Sequence, residues 1–253
     1  MTTPLALQLY TLREALAQDF KGTMRAVAEI GFLGVETAFW PPHISLAEAA
    51  QTMRDMGIDV CAAHTEIPLD DQREAVLKVA EVFECEQVIW HGWPQPDDYD
   101  SLDGIKRLAE RYNQANEVAR SNGLSFGLHN HWWEFEPVEG RYPYQLLLEL
   151  LEPTVFFELD AYWAKTAGVD PVQAIGDIGN RLQLLHLKDG PAKKDQPMTA
   201  LGQGTLDIPA IVLAGASATW LIVELDEVAT DMLTAVRTSY HYMTQNGYAV
   251  GKI

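Results

Sequence analysis

The strongest constraint in this sequence is an alternation. Short apolar runs and amphipathic stretches follow one another eight times along 253 residues, with no break in composition to mark a boundary. The apolar runs are 5–12 (LALQLYTL), 34–39 (GVETAF), 58–67 (IDVCAAHTEI), 87–93 (QVIWHGW), 124–131 (LSFGLHNH), 155–160 (VFFELD), 182–190 (LQLLHLKDG) and 219–227 (TWLIVELDE). Their apolar and β-branched content and their two-residue period predict strands. Helices are predicted between them over 15–30, 45–57, 70–84, 101–122, 144–152, from Asp170–Pro171 onward, 206–215 and 230–246. Ser45 and Ser101 are N-cap signals, and Gly31, Gly57 and Gly123 are stop signals.

Strands that alternate with helices pair in parallel through right-handed crossovers. Eight such units in about 250 residues match the arithmetic of a closed (β/α)8 TIM barrel. An open doubly wound sheet usually carries a Gly-rich phosphate turn after its first strand. Here the first strand runs straight into TLREAL. The expectation is a single-domain (β/α)8 TIM barrel over 1–253.

Charge narrows the partners. The formal net charge is −18 and the pI about 4.6, with basic residues scattered. Such a chain repels phosphate backbones and anionic membrane surfaces, so no nucleic-acid partner is expected. No apolar run reaches the roughly 18 residues of a spanning helix, so no membrane partner is expected either. Residues 1–16 lack the basic-then-apolar pattern of a secretory leader. Two cysteines, Cys61 and Cys85, make no disulfide framework and read as reduced thiols of a cytoplasmic protein.

In a parallel barrel, ligands gather at the C-terminal ends of the strands. Counting by twos places His129 with His131, Glu158 with Asp160, His186 with Lys188, and Glu224 with Asp226 on one face of successive strands. Glu36, His64 and His91 extend the set to earlier strands. Burying so many ionisable groups is costly without partners or a metal. A divalent cation held by Glu134, Asp160, His186 and Glu224 is the expected solution, with His129 competing for the strand-five position. Carboxylate and imidazole donors suit Mn2+, Zn2+, Co2+ or Mg2+.

The segments QLYTLR, HNHWWEFEP, FELDAYWAKTAGVDP, LLHLKDG, LGQGTLDIP and IVELDE together resemble the sugar phosphate isomerase/epimerase family, the xylose isomerase-like TIM barrels. The resemblance spans nearly the whole chain. It implies a divalent metal on strand-end Glu, Asp, His and Glu, the last three matched by Asp160, His186 and Glu224. This chain departs at strand five, where it has His129 in place of the Glu of many relatives. HNH-x-x-EF also resembles enzymes acting on 3-keto-glycosides by epimerisation or β-elimination.

The resulting expectation is a carbohydrate isomerase or epimerase that transfers a proton through a metal-stabilised enediolate. Glu224 and Glu134 are the expected proton-transfer pair. Lys188 either steadies charge on the substrate oxygen or pairs with Asp160 or Asp189. His64, His129, His131, Glu158 and Trp163 are expected at the sugar. Tyr10, Trp40, Trp93, Trp132 and Trp133 either stack on it or pack as lid and core. A metal-dependent lyase releasing the aglycone of a 3-keto-glycoside shares the first step. An abasic-site endonuclease is disfavoured by the charge, and a non-catalytic sugar binder by the intact ligand set. The LGQGTLDIP loop and the Trp-rich strand ends suit a lid or a homodimer contact equally.

Overall fold

A computed structural model describes residues 3–38 and 40–252. Eight parallel strands form a closed barrel in sequence order, β1 (Leu5–Gln8), β2 (Gly34–Thr37), β3 (Asp59–Thr65), β4 (Gln87–Trp90), β5 (Ser125–His129), β6 (Phe156–Asp160), β7 (Leu182–Leu187) and β8 (Trp220–Val223). β1 closes the ring against β8, with Ala6 opposite Ile222. The expected barrel is the observed one. The last residue of the predicted second strand, Phe39, lies outside the described residues.

Around the barrel run α1 (Arg13–Gln18), α2 (Phe20–Ile30), α3 (Leu46–Asp55), α4 (Arg73–Phe83), α5 (Leu102–Ser121), α6 (Pro143–Leu150), α7 (Ala161–Thr166), α8 (Pro171–Ile178), α9 (Ile208–Ala214) and α10 (Met232–Gln245). Their starts follow local chemistry. Ser45 and Glu48 form a reciprocal capping box on α3, and the Ser101 hydroxyl accepts from the Gly104 N–H at the head of α5. No helix among the described residues is long and apolar enough to cross a membrane.

Two departures from the sequence expectation have clear causes. The helix expected over 15–30 is broken at Asp19, which leaves helical geometry (φ −146°, ψ 88°) and turns its carboxylate to the Gly22 N–H at 2.9 Å. The broken segment becomes α1 and α2. After β6, Asp160 ends the strand and also caps α7, accepting from the Trp163 N–H at 2.9 Å. The sequence pattern predicts a helix only after Asp170, and α7 precedes it.

Inside the barrel, a small apolar floor is built from Ala6, Cys61, Ala62, Ile89, Phe156, Leu184 and Ile222. Phe156 spreads across this floor against Gly127 of β5, where a Cβ would lie 2.3 Å from its ring, so only glycine fits. Two positions beyond Ala6, Ala62, Ile89, Gly127, Phe156, Leu184 and Ile222 each residue is polar. That spacing puts Gln8, His64, His91, His129, Glu158, His186 and Glu224 at the next level of the barrel.

Candidate functional site

The polar level has a deep part and an outer part, and His186 links them. Its Nε2 lies 2.7 Å from Glu36 Oε2 and 3.2 Å from Glu158 Oε1, while its Nδ1 lies 2.7 Å from Glu224 Oε2. Burial works against charge on this ring, yet Glu158, Glu36 and Glu224 outweigh it and raise its pKa well above the usual histidine value. Gln8 donates to Glu36 Oε2 at 2.6 Å. His64 Nε2 sits 2.6 Å from Glu158 Oε2, and His129 Nδ1 sits 3.1 Å from the same oxygen. Burial, joined by the neighbouring positive His186, pushes His129 well below the usual value, so its ring is neutral.

The outer part holds three carboxylates around one ammonium. Lys188 Nζ lies 3.1 Å from Asp160 Oδ2, 2.9 Å from Glu224 Oε2 and 3.0 Å from both Asp226 oxygens. Burial opposes the charge of Lys188, but Asp160, Asp226 and Glu224 together raise its pKa. Glu224 is held far below the carboxylate range by Lys188 and His186, in spite of its burial. Burial lifts Asp160 to about 6, with Lys188 opposing the rise, and also raises Asp226.

This donor set fits a divalent cation. His129, Asp160, His186 and Glu224 each offer a ligand atom, and all four atoms lie within 4.8 Å of one another. Asp160 spends Oδ1 on the α7 cap, while buried Oδ2 has no hydrogen-bonding partner, its ion pair with Lys188 lacking that geometry. Glu36 Oε1 and Glu158 Oε1 are buried without a hydrogen-bonding partner as well, Glu158 Oε1 having only its 3.2 Å ion pair with His186. Five acids therefore converge on Lys188 and His186, an excess of negative charge that a cation would offset.

The site opens on a cavity of about 760 Å³. Its lining includes His64, His129, His131, Lys188, Glu224 and Asp226, with Tyr10, Trp40, Trp93, Trp132 and Trp163. Lys188 Nζ stands 5.4 Å from the centre of the Trp163 ring.

Residues 24–237 match the family described as xylose isomerase-like TIM barrel. The chain belongs to that family. No curated protein matches it. Among solved structures it is similar to a sugar phosphate isomerase/epimerase from Parabacteroides distasonis, at 21% identity over 98% of this chain and 100% of that one, TM-score 0.84. It is similar to a second sugar phosphate isomerase/epimerase of the same organism at 23% identity, covering 99% and 96% of the two chains, TM-score 0.81. An L-ribulose 3-epimerase aligns at 15% identity over 97% and 94%, TM-score 0.70. At these identities the likeness establishes the shared fold.

In this xylose isomerase-like barrel, Asp160, His186 and Glu224 converge, as do His64, His129, Glu158 and Lys188. Glu134 does not join them. It lies in a short turn, Trp133–Phe135, with Oε2 accepting from the His131 N–H at 2.8 Å. It lines a separate small cavity with Tyr99, Tyr112 and Tyr144. Burial lifts its carboxyl to about 8, so it is neutral at pH 7. His129, the competing strand-five residue, rather than Glu134 lies with Asp160, His186 and Glu224 in a group whose ligand atoms are within 4.8 Å of one another. Glu158 is fully buried beneath His64 and His129 rather than at the cavity wall. Trp133 packs in the core, stacked on His131 at 4.3 Å, while the other candidate aromatics line the cavity. Gln8, Glu36 and Asp226 are site residues to which the sequence assigns no role. The two-residue strand period is the signal available for all three.

Proposed function

We propose that the chain is a divalent-metal-dependent sugar isomerase or epimerase that moves a proton next to a sugar carbonyl. One observation carries this reading: a four-residue ligand group from β5, β6, β7 and the end of β8 stands beside a buried lysine at the base of a cavity large enough for a sugar. A cation bound by His129, Asp160, His186 and Glu224 would supply Lewis-acid polarisation of the carbonyl and charge stabilisation of the enediolate.

The protein groups have separable tasks. Lys188, rigid among three acids, presents an ammonium to the substrate oxygen where negative charge develops. Glu224, kept ionised by Lys188 and His186, is the base. Asp226, whose pKa burial raises against the opposing Lys188, is the acid that delivers a second proton to carbon. The proton left on Glu224 exchanges through solvent to reset the pair. Glu134, turned to the His131 N–H, is not placed for this role. Two carboxyls whose environments push their pKa values apart are a common mark of an acid–base pair. Both leave the same end of β8, so they serve one face of a bound ring. Delivery to that face at the neighbouring carbon, with the hydroxyl proton passing from that carbon's oxygen to the former carbonyl oxygen, is isomerisation. Epimerisation requires a donor across the cavity, where His64, His91 and His131 line the wall.

Solvent-deuterium exchange over a panel of keto-sugars, with and without added divalent ion, tests this reading. Metal-dependent deuterium uptake beside the carbonyl is the expected result. Absence of exchange from every sugar with the metal-loaded protein would refute it. A lyase acting on 3-keto-glycosides would begin with the same abstraction and is distinguished by released aglycone.

A further inference from the structure

The long loop after β7 has a fixed frame and a lightly held tip. The frame is gathered on one side chain. Asp189 is fully buried, and its carboxylate accepts from the N–H groups of Gly190 at 2.8 Å, Gly202 at 2.9 Å, Gly204 at 3.0 Å and Leu206 at 3.1 Å. A carboxylate is a stronger acceptor than a neutral oxygen. A Cβ on Gly204 would lie 2.1 Å from Asp189 Oδ1, so the winding of the loop around this carboxylate needs glycine there. The Thr199 N–H donates to the Asp189 carbonyl at 2.9 Å, and the Met198 N–H to the Glu227 carbonyl at 2.8 Å. The Leu201 N–H reaches Ser239 Oγ at 3.0 Å. The LGQGTLDIP segment therefore belongs to the frame.

The tip, residues 191–197, leaves this frame and reaches past the end of β6 to the loop after β5. Lys194 Nζ donates to Glu136 Oε1 at 2.6 Å and stands 4.8 Å from the centre of the Trp132 ring. Trp132 meets Trp163 edge-on at 4.9 Å, and Lys188 stands over the Trp163 ring. Two indoles thus run between the lysine of the tip and the lysine of the acidic mouth. Lys194 and Asp195 line the same cavity as Glu224 and Asp226.

Magnitudes separate tip from frame. The Lys194 and Glu136 side chains are 40% and 50% exposed, and an ion pair in that setting contributes little. An exposed ammonium over an indole adds a comparable amount. Against these gains stand Ala192 (φ 50°) and Asp195 (φ 60°), which flank the two lysines in left-handed backbone that residues with a side chain disfavour. Small gains and small costs nearly cancel in the tip, while the frame keeps buried hydrogen bonds. A near-balanced segment on a rigid frame is what a closing loop over a site requires.

We propose that residues 191–197 are a lid for the acidic mouth and that Lys194 and Glu136 are its positioning residues. With the pair made, the tip lies across the end of β6 against Trp132. With the pair broken, the tip swings to solvent between Gly190 and Met198, which stay in the frame. A ligand resting on Trp132 or Trp163 favours the closed state, because the same indoles back the latch. The lid is a motion of the chain and stands whether or not the isomerase reading does.

Two nitroxide labels test it, one on Lys193→Cys in the tip and one on Glu110→Cys in α5, read as a distance distribution by pulsed electron spin resonance. Both positions are exposed, and the native cysteines are buried. The labelled parent should show two populations, one at the distance of the closed structure and one at another distance. Glu136→Gln keeps the shape, removes the charge and should raise the open-to-closed ratio about two- to fivefold. Glu136→Lys, which repels Lys194, should raise it further. Adding Lys194→Glu to Glu136→Lys remakes the pair in reverse and should return the ratio to within about twofold of the parent. All these changes are on the surface, so each protein keeps its core. A single distance in all four proteins, a ratio that neither single substitution moves, or a ratio that the reversed pair does not restore would overturn the lid.

Discussion

His186 Nε2 and Glu36 Oε2 lie 2.7 Å apart, and both side chains are fully buried. The other ring nitrogen faces Glu224 and the ligand group. A histidine that binds a metal through one nitrogen is commonly oriented by a carboxylate on the other. Glu36 is itself fixed by Gln8, so the ring has one orientation.

Glu36→Gln should therefore weaken divalent-ion binding without touching a ligand. The amide keeps the shape but replaces a carboxyl that burial and Glu158 lift to about 7 and that favours the Nε2 proton when ionised. A loss of roughly 10- to 100-fold in affinity is expected, measured by calorimetry with Mn2+ or Zn2+. Unchanged affinity would remove Glu36 from the site.

Binding should also depend on pH in a stated direction. Burial raises Asp160 to about 6, and the acids around His186 raise its pKa well above the usual value. Both groups must give up a proton to act as ligands, so metal binding releases protons and weakens as pH falls. Below about pH 6 each unit should cost roughly tenfold or more in affinity. The same calorimetry in buffers of different ionisation enthalpy counts the released protons. A pH-independent constant would argue that the cation binds elsewhere.

Much of this arrangement was legible because a strand converts sequence spacing into facing. Asp160, His186 and Glu224 sit at the ends of apolar runs, and the two-residue period carries each from the floor to the mouth. Contacts with no local signature were not legible. Glu36 could be read as an acid inside a strand, but its partner His186 is 150 residues away. Glu134 follows His131 by three residues, a spacing that in sequence is compatible with reaching the ligand group. The short turn instead sends its carboxyl behind β5 toward the tyrosines of α5 and α6. Asp19 breaks a helix that periodicity alone would have continued, because its side chain competes for a backbone donor.

Lys188→Met should destabilise the fold and make it metal-hungry. The variant leaves Asp160, Glu224 and Asp226 without their shared counter-charge. Removing one partner from a buried ion cluster costs about 3–5 kcal/mol. A divalent ion that occupies the same acids should return more stability to the variant than to the wild type, a comparison made by denaturant unfolding with and without Mn2+. Equal stabilisation of both proteins would show that lysine and cation do not share these carboxylates.

Glu134 gives the last prediction, and its sign follows from linkage. Burial raises its pKa from 4.5 to about 8. Between those values the folded protein keeps the proton and the unfolded chain has lost it. The contribution of the neutral acid is thus fully present below about pH 4.5 and is lost as pH rises through about 8. Glu134→Gln carries a permanent neutral group in the same shape and retains a carbonyl oxygen for the His131 N–H. Relative to wild type, the variant should gain stability as pH rises from 4.5 to 8, by an amount of the order of a few kcal/mol. Because Glu134 stands outside the ligand group, divalent-ion affinity should be unchanged in the same variant. Parallel unfolding curves for the two proteins across that range would show that the carboxyl is ionised in the folded state, and a loss of metal affinity would return Glu134 to the site.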